Sequence, residues 1–127
     1  MEKPPHEEWL KQADYDMDSA EYMRAGGRNF YAVFLCHLSI EKALKGLYQA
    51  KLAQIPPRTH NLAWLLREIG IQPPSEKRDF LVRLNESSVA TRYPEELAVI
   101  EASYTRQLTR DILRNGKELL QWIKTQF

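Results

Sequence analysis

The segment Asn29–Lys51 constrains this chain more than any other. At helical spacing it is apolar almost all the way round, and a helix of that kind sits in the middle of a domain with other elements packed about it. Along it His37, Glu41 and Lys45 recur every fourth residue. At about 100° per residue they form a stripe roughly 80° wide, in the same sector as Phe30, Phe34, Leu38 and Tyr48. An imidazole, a carboxylate and an ammonium among aromatics cost desolvation energy unless they satisfy one another or face a cleft. The stripe is therefore a buried polar network or the wall of a site.

The remaining patterning is also helical. Glu7–Arg24 carries Trp9, Leu10, Ala13, Met17, Ala20 and Met23 on one face, with Pro4 and Pro5 before it and Gly26–Gly27 after it. The central helix runs to about Ala53, and Pro56–Pro57 stops the chain. Thr59 is the expected N-cap of a short helix His60–Ile69 that ends at Gly70. After Pro73–Pro74, Ser75 is expected to cap a helix over Glu76–Ser87. A loop is expected over Ser87–Glu96, then one last helix from Leu97 to Thr125, with a kink at Asn115–Gly116. No segment alternates with period two. The expectation is one all-α domain over residues 1–127, an up-and-down bundle of about five helices.

Composition narrows the function. The 127 residues carry a formal net charge of +1, which argues against a long electrostatic nucleic-acid surface while leaving room for a local basic patch. The single cysteine, Cys36, excludes an intrachain disulfide and fits a cytoplasmic setting. The charged, Pro-rich start is unlike a signal peptide, and no apolar run reaches the roughly 20 residues of a membrane span. His6, His37 and His60 are not at metal-ligand spacing, and no Gly-rich phosphate loop occurs, so no metal or cofactor is expected. Cys36 and His37 diverge by about 100° on a helix and do not form a nucleophile–base pair.

Three groups of residues could carry chemistry. Beside the stripe stands Lys42, so that Lys42 and Lys45 could meet phosphate while Glu41 holds a lysine or a ribose hydroxyl. Arg58-Thr59-His60 opens a helix, where an anion is favoured. In the segment Ala90–Pro94, Arg92 could bind phosphate and Tyr93 could stack on a base. Each has a plainer reading: a satisfied core network, a simple cap, and a turn leading into the last helix.

Taken in order, Trp9, Phe30-Tyr31-Ala32, Glu41-Lys42-Ala43-Leu44-Lys45, Thr59-His60-Asn61-Leu62 and Thr91-Arg92-Tyr93-Pro94 resemble the HEPN domain, a helical family named for nucleotide-binding proteins of higher eukaryotes and prokaryotes. The resemblance covers nearly the whole chain. It implies an up-and-down bundle that forms homodimers. It also implies a minimal nucleotidyltransferase as protein partner, in a toxin–antitoxin-like pair. Many members are metal-independent ribonucleases with an Arg followed about four to six residues later by His. Here the positions after Arg92 are Glu96, Leu97 and Ala98, and no histidine occurs beyond His60. The expectation is thus a nucleotide- or RNA-phosphate-binding module using Glu41, Lys42, Lys45, His60, Arg92 and Tyr93. The alternatives are a ribonuclease with Arg92 and His60 or His37 as catalytic residues, and a purely structural helical dimer.

Overall fold

The computed structural model describes the backbone of residues 5–92 and 97–127, and the side chains of 6–88 and 97–127. Within these, six helices occur: α1 (Pro5–Ala25), α2 (Asn29–Leu52), α3 (Leu62–Ile69), α4 (Ser75–Arg92), α5 (Leu97–Ser103) and α6 (Arg106–Lys124). The described residues contain no strand. The long helices α1, α2, α4 and α6 alternate in direction, with α3 and α5 lying in the connections. None of the described helices is long and apolar enough to cross a membrane.

As its composition requires, α2 is the hub. Thirteen of its residues are buried, on every side of the helix from Ile40 to Tyr48. α1 lies antiparallel against it: Ser39 Oγ donates to the Ala13 carbonyl at 2.7 Å, and Trp9 Nε1 donates to Gln49 Oε1 at 2.8 Å. The helices can approach this closely because Gly46 has no side chain, since a Cβ there would stand 2.9 Å from Trp9 Cβ. The outer helix α6 is tied to α1 by ion pairs Lys117–Glu21 at 2.7 Å and Lys124–Asp14 at 2.6 Å. Lys117 and the Arg24 beside Glu21 hold the Glu21 carboxyl below its ordinary range despite the opposing effect of burial.

Four expectations are corrected. The C-terminal segment is two helices, not one. The break falls at Tyr104–Thr105, where Thr105 is extended (φ −66°, ψ 163°) and its Oγ1 accepts from the Leu108 amide at 3.2 Å. The Tyr104 carbonyl at the break accepts from Asn29 Nδ2 at 3.0 Å. Asn115–Gly116, where a kink was expected, is continuous helix. There Gly116 makes room for Cys36, whose Sγ would clash with a Cβ at that position. The fourth helix begins at Ser75 itself and runs past Ser87 to Arg92, replacing the first part of the expected loop. Finally, Thr59 does not cap the third helix. Asn61 does, its side chain accepting from the Trp64 amide at 3.0 Å, while Thr59 Oγ1 accepts from the Asn61 amide.

Cys36 is fully buried at the α2–α6 contact, and burial pushes its thiol up to about 12, with Lys117 opposing the rise. It is packing, not a nucleophile. Gly116→Ala should destabilise the wild-type fold by about 1–2 kcal/mol, overpacking outweighing the gain in helix propensity. In a Cys36→Ala background the same substitution should be neutral or stabilising. Urea unfolding of the four proteins of this cycle measures the reversal.

Candidate functional site

The i,i+4 spacing of α2 places Glu41 and Lys45 side by side, and their side chains are 5% and 10% exposed. Glu41 Oε2 accepts from Lys45 Nζ at 3.1 Å. The other carboxylate oxygen, Oε1, lies 2.8 Å from Nδ1 of His60. His37, one turn earlier and fully buried, has Nδ1 3.9 Å from the same Oε1. The sequence stripe is therefore a buried polar network joined by a residue from a different part of the chain.

His60 is the outward part of this network. Its side chain is 56% exposed, against 5% for Glu41. Because an ionised carboxylate only accepts, the Nδ1 that faces Glu41 carries the proton. The opposite ring nitrogen, Nε2, is thereby turned toward solvent. A fixed tautomer, a fixed ring orientation and an exposed second nitrogen are what a proton transfer needs, and in the imidazolium form the same Nε2 is a donor for a phosphate oxygen.

The backbone that carries His60 is clamped from α4. Asn85 Oδ1 accepts from the Leu62 amide at 2.7 Å, and Asn85 Nδ2 donates to Asn61 Oδ1 at 3.2 Å. With Asn61 already accepting from Trp64, two of the first three amides of α3, those of Leu62 and Trp64, are taken by side chains. Side chains thus take most of the helix start, which leaves less room for an anion there than Arg58-Thr59-His60 suggests by sequence. His60 reaches the site through its imidazole alone, and Arg58 stands exposed in the same loop.

The other expected residues are placed as follows. Lys42 is turned away from the stripe, toward α1, and pairs with Asp16 at 2.9 Å. One residue after Glu41 the helix has rotated about 100°, which accounts for the separation. The backbone of Arg92 ends α4. The Arg92 side chain and the whole of Tyr93 lie outside the described residues. The structure therefore brings together Glu41, Lys45 and His60, with His37 behind them, and sends Lys42 elsewhere. Sequence reasoning missed Asn61 and Asn85. Asn61 had a signal, a good capping residue directly before Leu62; Asn85, in mid-helix, had none.

Breaking a buried pair by removing one member leaves an uncompensated charge and costs about 3–5 kcal/mol. Glu41→Met should accordingly lower the unfolding free energy by about 3 kcal/mol or more. The double variant Glu41→Met/Lys45→Met should recover at least half of that loss. His60→Ala, at a half-exposed position, should cost under about 1 kcal/mol. Urea denaturation midpoints at constant m-value test all three.

The sequence model of the HEPN domain matches residues 6–126. Among solved structures the chain is similar to TT1696 from Thermus thermophilus, at 22% identity, with a TM-score of 0.85 over 98% of this chain and 100% of that one. It is also similar to ST0689, an archaeal HEPN homologue, at 29% identity, with a TM-score of 0.75 over 99% of this chain and 98% of that one. No curated protein is significantly similar to it.

Proposed function

The chain belongs to the HEPN domain family, and on that premise we propose that it is a cytoplasmic nucleotide- or RNA-phosphate-binding module, acting as a homodimer and as the partner of a minimal nucleotidyltransferase in a toxin–antitoxin-like pair. One observation carries the binding part: the buried Glu41 carboxylate holds a half-exposed His60 and a buried Lys45 at 2.8 and 3.1 Å. In its imidazolium form His60 donates Nε2–H to a phosphate oxygen, and the Lys45 ammonium offsets the charge of Glu41 so that an anion can approach. Arg92 adds a guanidinium and Tyr93 a ring in this reading, following the family resemblance of their segment. Lys42 takes no direct part, since Asp16 already occupies it. The dimer and the protein partner rest on the family resemblance and on apolar side chains left exposed, Leu97, Val99 and Leu108 among them.

Calorimetric titration with ATP and GTP tests the binding. Wild type should release or absorb heat and gain thermal stability by linkage. His60→Ala should weaken the complex roughly 10- to 100-fold, the value of a hydrogen bond to a charged group. Absence of both heat and thermal shift at millimolar nucleotide would remove the proposal.

A second reading is favoured by the same pair. An imidazole oriented by a buried carboxylate is the arrangement of a general base, and RNA cleavage through the 2′-hydroxyl needs no metal. His60 would take the 2′-hydroxyl proton as that oxygen attacks phosphorus and return it to the departing 5′-oxygen, leaving a 2′,3′-cyclic phosphate, and Arg92 would stabilise the phosphorane charge. If so, RNA is cut in EDTA by wild type, while His60→Ala and Arg92→Ala each lose on the order of a hundredfold or more. Equal cleavage by His60→Ala would exclude this base.

A further inference from the structure

A second surface lies at the opposite end of α2 from Lys45. The side chains of Arg28, Phe30, Tyr31, Leu97 and Glu101 line a pocket of about 510 Å³ there. Tyr31 is 52% exposed, and its ring stacks on Phe30 with centroids 4.5 Å apart and planes 28° from parallel. Successive residues of a helix diverge by about 100°, so neighbouring rings do not meet by default. In the first turn of α2 no preceding turn obstructs them, and they lean together. One face of Tyr31 is thereby held, and the ring keeps another face open without losing rotamer freedom when something lands on it.

The charges around this platform suit one kind of occupant. Arg28 is exposed and forms no ion pair among the described residues. The bond from Asn29 Nδ2 to the Tyr104 carbonyl brings the start of α6 beside it, and Arg106 and Arg110 of α6 are likewise exposed and unpaired among the described residues. Among the described residues Glu101 is the one carboxylate lining the pocket. Cations outside, an open aromatic face, and a carboxylate acceptor within match a nucleobase with its phosphates.

We propose that this pocket is a nucleobase-stacking subsite, and that the ligand of the protein is a single-stranded oligonucleotide rather than a mononucleotide. The proposal rests on the reading of Glu41, Lys45 and His60 as a phosphate site. Tyr31 stands ten residues before Glu41 on α2, about 15 Å along the helix axis. A mononucleotide cannot reach both, whereas a few nucleotides of extended strand can. The base stacks on Tyr31 and donates an exocyclic amino hydrogen to Glu101, so adenine and cytosine, which carry that group, are held better than uracil.

The test uses the full chain and labelled oligoriboadenylate, oligodeoxyadenylate and oligouridylate of about ten nucleotides, a length typical of single-strand sites. AMP serves as the mononucleotide. Wild type should bind the oligoadenylates more tightly than AMP, and oligouridylate less tightly than oligoriboadenylate. Comparing the ribose and deoxyribose strands shows which source of the shared chemistry is preferred. Tyr31→Ala should weaken oligoadenylate binding roughly five- to a hundredfold, the range for loss of one base stack. AMP affinity should stay unchanged, and Tyr31→Phe should retain wild-type behaviour. His60→Ala should weaken both ligands. Oligoadenylate affinity unaffected by Tyr31→Ala would overturn the subsite, as would a Tyr31→Ala loss equally large for AMP. Should AMP bind and the oligonucleotides bind no tighter, the subsite alone fails. If neither AMP nor any oligonucleotide binds, the phosphate site fails with it.

Discussion

The structure depends on α2 being wrapped. A helix that is apolar on all sides has no face to give to water, so the remaining elements must supply its surroundings. α1, α3, α4, α5 and α6 all pack on it. Once α2 is enclosed, any charge it carries is enclosed too, and Glu41 and Lys45 cannot escape the desolvation that follows. They meet it by pairing with each other and by recruiting His60 from the turn before α3. Fold and site are thus the outcome of one requirement, and a change that disturbs the site acts on the core as well.

How much of this was legible depended on sequence separation. The central helix, its partner α1 and the Glu41–Lys45 pair are local patterns with helical period, and they stand in the structure as the sequence suggested. The Glu41–His60 contact spans 19 residues and a turn, so no local period carries it. Where two capping residues stood close together, Thr59 and Asn61, residue preference could not choose. The backbone chose by spending the Thr59 hydroxyl on the Asn61 amide. Helix propensity misplaced the C-terminal break, because Gly116 is a poor helix former that a neighbour, Cys36, requires. Thr105, a good cap inside a helical pattern, carried the better signal. Lys42 was grouped with Glu41 by adjacency, although adjacency on a helix separates directions and the carboxylate of Asp16 lay across from it.

His60 is held at two points of different kinds. Its ring is fixed by Glu41, and its backbone is fixed two residues on, where Asn85 receives the Leu62 amide. The second clamp comes from α4, the same helix whose last residue is Arg92. Asn85 and Arg92 are seven residues apart, two turns on one face of that helix, or about 10 Å. The hydrogen bonds of Asn85 thus tie the segment that carries His60 to α4. A family pattern that places Arg and His on one helix gains its register from the helix itself. With no histidine after Arg92, no single helix of this chain sets such a register, and the segment that carries His60 is tied to α4 by a side-chain tether between two elements. Such a tether costs one mid-helix asparagine and leaves the imidazole on a loop, where the buried carboxylate of α2 must supply the orientation that a helix would have given.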